Sequence, residues 1–423
     1  MDVTRLAQDA FRFLAEIDNR LLPEDFGELE RLFRQTMQDV GAKMMELHLA
    51  GRKLGYEGSS RACPCGGRQK FVNHRPRTLA TTLGSVTYRR AYYHCQRCQR
   101  SCCPYDCSCG LCAAEASEEL AKGATLLAVH DPFSPCARIL HHLTGQRLSE
   151  QTIRRLGGRA GWKAEEQERQ AALAMATWTV PQVSARPRRL YVAVDAAMTH
   201  FQDGWHDVKC AVCRWVDERG RRHKQCVVRK ATAEEFRAFV WALAAKCGLD
   251  TAAEVVLLGD GAAWIWEHMA GVLGEGTICI TDWYHVTEHL WTCGKVLLGE
   301  GTEATRQWVK DLETLLWAGK TAEVLAQLQE EHGRRRGGAR EAVRQLMGYL
   351  KNQGDRVRYD QFRAKGLDVG SGQVEAMCKQ MGLRMKRCGA RWSEQGAQAI
   401  LSLRSVWLNG NWDDFWREHP LAA

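Results

Sequence analysis

Apolar and polar positions along the chain follow two different periods, and the changes between them divide it into blocks. Over the first 55 residues, Leu29, Leu32, Phe33, Met37, Val40, Met44 and Leu47 recur at spacings of three and four. This is the stripe of an amphipathic helix, expected to pack onto the rest of the chain. A dimerisation helix is the alternative, but no e/g charge pattern accompanies the stripe. From Gly58-Ser59-Ser60 the period changes. The run TLATTLGSVTYRRAYYHC holds two β-branched and aromatic stretches around Gly84-Ser85, which is a hairpin signal. Residues 115–180 return to helical spacing. There Ser149 reads as an N-cap, Ile153 and Leu156 as a helical pair, and Gly157-Gly158 as a stop. The pattern fits the second helix of a helix-turn-helix and equally a three-helix connector.

After a Pro- and Arg-bearing linker, ARPRRL, the pattern predicts strands at 191–195, 208–216 and 224–229 and a helix over 232–247. A strand at 255–260, a helix over 262–273, a strand at 277–282 and a helix from 285 follow. Three successive strands, then alternating helices and strands, predict a mixed sheet with helices packed on it. Residues 300–365 read as helical and charged, with a basic loop at Arg334-Arg335-Arg336-Gly337-Gly338. The organisation expected is therefore an N-terminal amphipathic helical segment (1–55), a cysteine-bearing module (56–112) and a helical, helix-turn-helix-like region (113–184). An α/β core (185–299), a helical insertion (300–365) and a C-terminal helical part that completes the core (366–423) come after.

Composition narrows the possible partners. Of 423 residues, 45% are hydrophobic and 26% charged, which is the balance of a folded chain rather than a disordered one. No run approaches the ~18 apolar residues of a membrane span. The start, MDVTRLAQDAFRFLAEIDNR, has no apolar signal core, so a cytoplasmic protein without membrane association is expected. Lys and Arg exceed Asp and Glu by 59 − 50 = 9, which makes nucleic acid the first partner to test. Half of the 18 cysteines fall between residues 63 and 112. Cys63-x-Cys65 and Cys95-x2-Cys98, bridged by the predicted hairpin, supply the four soft ligands that Zn²⁺ takes in a zinc ribbon, with His94 a spare donor. Cys102, Cys103, Cys107, Cys109 and Cys112 are surplus and either complete a second site or pack. Arg68, Lys70, Arg75, Arg77, Arg89 and Arg90 give the module the charge to track a DNA backbone.

Three carboxylates stand out. Asp195 and Asp260 each close a predicted strand, YVAVD and VVLLGD, and each precedes a small residue, Ala196 or Gly261. Ligands gather at strand ends in open α/β sheets, and small neighbours let a polyanion backbone approach. Glu375 lies on the predicted helix of GSGQVEAMCKQMG, with Lys379 one turn on and Lys386 near the same face. Glu375–Lys379 is either an ordinary i,i+4 pair or a carboxylate flanked by phosphate-binding lysines. Brought together, three carboxylates need divalent cations to neutralise them. All-oxygen ligation favours Mg²⁺ or Mn²⁺, two of which serve phosphodiester chemistry.

The stretches CPCGG, HCQRC, YVAVDAAM, LLGDGAAWIW, TDWYH and GSGQVEAMCKQMGLRMKRCGARW occur in one order from about residue 60 to the C-terminus. In them the chain resembles a DDE transposase of the ISKra type of bacterial insertion sequence. The resemblance implies an RNase H-like catalytic core, with Asp195, Asp260 and Glu375 as a catalytic triad holding two Mg²⁺ or Mn²⁺ ions. It implies a structural Zn²⁺ on Cys63, Cys65, Cys95 and Cys98. Arg75, Arg77, Arg89, Arg90, Lys379, Lys386 and Arg391 are expected to contact DNA. The implied partners are double-stranded element ends and target DNA, bound by a homo-oligomer, a dimer, in a bacterial cytoplasm at the nucleoid. Ala196 departs from the Gly such families often carry after the first Asp. Asp282, Trp283 and His285 match an Asp/Cys-x2-His signature of related families. This signature either grips a phosphate or flipped nucleotide, with Trp283 as a stacking platform, or fixes a strand–helix corner. A non-catalytic or domesticated zinc-ribbon DNA-binding protein and an RNase H-fold nuclease without strand transfer are the rival expectations.

Overall fold

The computed structural model describes residues 26–50, 52–112, 114–179, 186–387 and 390–418, together with residues 4, 8, 11, 12 and 15. The chain divides into two compact units, Met1–Lys163 with Asn411–Ala423 and Ala164–Gly410.

In the first unit, α1 (Phe26–Ala50) packs on an antiparallel sheet. Its strands, in the order β1 (Ser60–Ala62), β2 (Arg68–Thr81), β3 (Gly84–His94) and β4 (Ser101–Cys102), follow the chain. The β2–β3 hairpin forms as the pattern predicts, but it turns at Thr82-Leu83. There the Thr81 hydroxyl donates to the Gly84 carbonyl at 2.8 Å and accepts from the Leu83 N–H at 3.1 Å. Only part of the apolar stripe of α1 packs: Leu29, Leu32, Val40 and Leu47 are half-buried. Thr36 and Ala42 are buried, whereas Phe33, Met37 and Met44 are exposed. Small residues bring the helix close to the sheet: a Cβ on Gly41 would lie 3.2 Å from the Leu83 side chain.

Three helices follow: α2 (Glu118–His130), α3 (Phe133–Thr144) and α4 (Glu150–Leu173). Ser149 caps α4, its hydroxyl accepting from the Thr152 N–H at 3.0 Å. The expected stop at Gly157-Gly158 does not occur, and α4 continues to Leu173. Ile153, Leu156, Gly157, Ala160, Gly161 and Ala164 form a buried stripe at spacings of three and four. Tertiary burial along that stripe outweighs the ~1 kcal/mol that each glycine costs a helix.

The second unit is a five-stranded mixed sheet in the order β7-β6-β5-β8-β9: β5 (Arg189–Phe201), β6 (Gly204–Val216), β7 (Arg222–Lys230), β8 (Glu254–Gly259) and β9 (Ile278–Thr281). β5, β6 and β7 are antiparallel, while β8 and β9 run parallel to β5. Leu190, Val192 and Val194 of β5 face a core shared with α5 (Ala233–Lys246) and α6 (Ala263–Leu273), including Phe236, Trp241, Ile265 and Met269. Strand alternation therefore aims Asp195 at the opposite face. That face is covered by α11 (Gly372–Met385) and α12 (Glu394–Leu408). Between sheet and α11 the chain runs through α7 (Trp283–Leu298), α8 (Glu303–Trp317), α9 (Thr321–Arg334) and α10 (Gly337–Gln353), with a short helix over Tyr359–Ala364. Among the described residues no helix is long and apolar enough to cross a membrane.

One buried ion cluster pins the end of α4 to the sheet. Arg229 of β7 donates to Glu165 and Glu168, both at 3.0 Å, and Ser402 donates to Glu168 at 2.7 Å. Burial pushes the Glu168 carboxyl up to about 7. Removing the guanidinium strands two carboxylates in low dielectric. Arg229→Met is expected to lower the unfolding free energy by about 3–5 kcal/mol in urea titrations. The loss should be smaller at pH 5, where Glu168 takes up a proton, than at pH 8.

Candidate active site and metal centre

The cysteine module is built from two turns of one design. In the first, the Cys63 N–H bonds to the Gly67 carbonyl at 2.9 Å and the Gly66 N–H returns to the Cys63 carbonyl at 3.0 Å. In the second, the Cys95 N–H bonds to the Arg100 carbonyl at 2.9 Å and the Gln99 N–H returns to the Cys95 carbonyl at 2.8 Å. Each bond is made at the same offset from the second cysteine. The residue after that cysteine is left-handed in both turns, Gly66 at φ 78° and Gln99 at φ 60°. The one-residue difference between Cys-x-Cys and Cys-x2-Cys is absorbed inside the loop.

The four Sγ atoms lie within 4.8 Å of one another, with Cys63–Cys65 at 3.4 Å, Cys63–Cys98 at 3.6 Å and Cys65–Cys95 at 3.7 Å. A tetrahedral ion with Zn–S bonds of ~2.3 Å sets its sulfurs about 3.8 Å apart, so the group fits a structural metal ion. The backbone N–H groups of Cys98 and Arg97 lower the Cys95 thiol to about 6, while, against the Cys65 N–H, burial and the neighbouring sulfurs push the Cys63 thiol up to about 12.

The arginines of this module divide into two classes. Arg77 and Arg90 both donate at 2.7 Å to Asp106, which also accepts from the Tyr88 hydroxyl at 3.0 Å. Asp106 is buried and both guanidinia are largely so. Expected as DNA contacts, Arg77 and Arg90 instead hold the segment after β4 against the hairpin, because a buried carboxylate needs their charge. Arg75 lies over the Tyr92 ring at 3.4 Å and Arg89 donates to the His74 carbonyl at 2.8 Å. Both remain exposed, as do Arg68 and Lys70.

In the second unit, sheet register sets the carboxylates side by side. Val194 pairs with Gly259, which places Asp195 and Asp260 at neighbouring positions just beyond the last parallel pair. Asp195 is not at a strand end, since β5 runs on to Phe201 against β6. The two are close enough that the Asp260 charge adds to burial in raising the Asp195 carboxyl, against the Ala196 N–H at 2.7 Å. Asp260 accepts from the Ala262 N–H at 2.8 Å. Cys378 of α11 works against the rise in the Asp195 carboxyl. Glu375 lies one turn earlier on α11, where it is half-exposed and paired with Lys379. Asp195 and Asp260 are thus brought together, while the Glu375 carboxylate is held by its i,i+4 lysine. Lys386 and Arg391 are exposed beyond it.

Asp282 fixes the corner. Nearly fully buried, it caps α7, accepting from the Tyr284 N–H at 2.6 Å and the His285 N–H at 3.1 Å. Its second oxygen accepts from the Ser371 N–H, and the Trp283 N–H bonds to the Val369 carbonyl at 2.9 Å. One carboxylate therefore joins β9, α7 and the entry to α11. His285 Nδ1 lies 3.4 Å from Asp282, which raises the imidazole to about 9 with help from Asp260 and Asp195. Trp283 packs on Trp317 and Tyr359, with ring centroids at 4.6 and 4.9 Å, so the expected stacking platform is a packing residue. The neighbouring Tyr284 is the exposed aromatic beside Gly370.

Sequence patterning missed the clamp on the Asp260 turn. The Tyr349 hydroxyl of α10 donates to the Asp260 carbonyl at 2.9 Å, and Gln353 donates to the Gly261 carbonyl at 3.1 Å. Gln353 also accepts from Thr281 at 3.0 Å, and the Tyr359 hydroxyl donates to the Thr281 carbonyl at 3.0 Å. Gly261, at φ 99°, has no room for a Cβ, which would meet Gln353 at 2.8 Å and Tyr349 at 2.9 Å. The small residue after Asp260 makes room for this helix contact. No local signal marks Tyr349 or Gln353, because their partners lie about ninety residues away.

The sequence profile of an uncharacterised protein family, UPF0236, matches residues 24–418. The chain belongs to this family. The match takes in the cysteine centre, the paired aspartates and α11 alike. No curated protein matches the chain.

For this UPF0236 protein, purification without chelators is expected to yield at least one tightly held Zn²⁺ per chain by elemental analysis. The Cys63→Ser, Cys98→Ser double variant should lose it. The His285–Asp282 pair sets a second expectation. A histidine raised to about 9 in the fold contributes stability that is complete below its ordinary value near 6.5 and is lost as pH climbs through 9. Without added divalent cations, stability should fall by about 1–2 kcal/mol over that window. Asp282→Asn should flatten the fall in pH-dependent thermal melts.

Proposed function

We propose that this protein is a DNA transposase of a bacterial insertion sequence. In this reading the first unit binds the terminal inverted repeats of the element, and the second hydrolyses and joins phosphodiesters. The observation that carries it is the register that sets Asp195 beside Asp260 on the sheet face covered by α11. The mixed sheet, three antiparallel strands extended by two parallel ones, supports the RNase H-like core that the sequence resemblance implies. The adjacent Asp282 corner supports the structural reading of the Asp-x2-His signature.

The donor set fits hard divalent cations. Two carboxylates close enough to raise one of them face only His285 as a cationic neighbour among the groups that shift Asp195. Asp195 and Asp260 would hold the ions, with Glu375, one turn from Cys378, joining when it leaves Lys379. Mg²⁺ or Mn²⁺ bound there would activate the attacking oxygen and stabilise the leaving one. The chain's part is orientation: Ala196 and Ala262 N–H groups fix the two aspartates, and Tyr349 and Gln353 hold the turn between β8 and α6. Lys379, released from Glu375, is then free to meet a phosphate, with Lys386 and Arg391 on the same exposed stretch. In the first unit, the exposed Arg68, Lys70, Arg75 and Arg89 supply backbone charge, with affinity that falls steeply with salt.

Asp195→Asn, Asp260→Asn and Glu375→Gln are each expected to abolish cleavage and joining on DNA carrying the element's ends, while end binding persists in gel shifts. Brief EDTA treatment should stop cleavage before it weakens binding, and Mg²⁺ or Mn²⁺ alone should restore it. Cleavage that survives EDTA, or near-normal joining by any of the three variants, would overturn the assignment. Cleavage without joining would favour a nuclease of the same fold.

A further inference from the structure

Beyond the four-cysteine centre, two further sulfurs approach a third, Cys107, in the first unit. Cys107 Sγ lies 3.7 Å from Cys102 Sγ and 2.6 Å from Cys112 Sγ. The three are spaced five residues apart, and each sits on separately anchored backbone. Cys102 is in β4, paired with Tyr93 of β3. Cys107 follows Asp106, whose carboxylate is locked by Arg77, Arg90 and Tyr88. Cys112 follows Leu111, which packs on Leu54, Leu79 and Tyr88 and whose N–H bonds to the Asp106 carbonyl. Gly110, left-handed at φ 64°, turns the chain so that Cys112 comes back onto Cys107. Asp106 is buried and Leu111 half-buried while Cys107 and Cys112 are exposed, so the fold displays these two thiols rather than packing them. Cys109 stands apart from the group, exposed and with Ser108 Oγ at 4.0 Å.

We propose that Cys102, Cys107 and Cys112 form a second soft-metal site that takes Zn²⁺, separate from the Cys63–Cys98 centre. Three thiolates are the donor set of such an ion, with a fourth position left to solvent. Ligation moves Cys112 out from Cys107 and in toward Cys102, to the ~3.8 Å that tetrahedral sulfurs require, and the exposed end of the segment at Cys112 permits this. The three protons leave as the thiolates bind, so uptake is favoured as pH rises. A cross-link of this kind would add to the Asp106 ion pairs and the Leu111 packing that hold the segment after β4.

The test is zinc stoichiometry together with thiol protection in the unmodified full-length protein. Two Zn²⁺ per chain are expected, falling to one in Cys107→Ser and to one in the Cys63→Ser, Cys98→Ser variant. In the native wild type, Cys102, Cys107 and Cys112 should resist alkylation by iodoacetamide until a chelator is added, while Cys109 reacts at once. The alkylated positions are read by peptide mass spectrometry, which needs no variant to fold. One Zn²⁺ per chain that Cys107→Ser leaves unchanged would overturn the proposal. So would a Cys107–Cys112 disulfide under non-reducing conditions, or alkylation of the three thiols at the rate of Cys109.

Discussion

The second unit depends on one buried carboxylate. Asp282 is placed by strand β9 and satisfied by N–H groups from two segments about ninety residues apart, the start of α7 and the entry to α11. A buried charge of this kind is tolerable only when fully bonded, so the corner has one arrangement or none. That constraint brings the helix carrying Glu375 against the sheet whose register sets Asp195 beside Asp260. The helical segment between them is tied to the same place: Tyr349, Gln353 and Tyr359 close on the carbonyls of Asp260, Gly261 and Thr281. The segment is wired to the backbone that carries the second aspartate.

In the first unit a similar logic governs charge. Asp106 binds two arginines that basic patterning alone would assign to a nucleic-acid face. Arg68, Lys70, Arg75 and Arg89 remain exposed. A guanidinium with a buried carboxylate partner contributes to the fold, and one over an aromatic ring at the surface keeps its charge for solvent and ligand.

Much of this protein was set by local sequence. The order of strands and helices in the second unit follows hydrophobic period, and its boundaries fall within a few residues of those the pattern predicts, except where β5 outruns Asp195. The four-cysteine centre was legible because ligand spacing and a bridging hairpin are short-range features, and so was the cap at Ser149. What only tertiary structure decided are the features whose partners are distant in sequence. α4 passes through Gly157-Gly158 because burial of one stripe outweighs glycine's local cost. α1 sets Gly41 and Ala42 against the hairpin turn because small residues permit close packing. Trp283 is packed by Trp317 and Tyr359, and Gly261 is required by a helix from outside its own turn. Period and spacing fix which element a residue joins. Which face it presents, and whether its charge is spent inside the fold, is set by contacts that form only when the chain closes on itself.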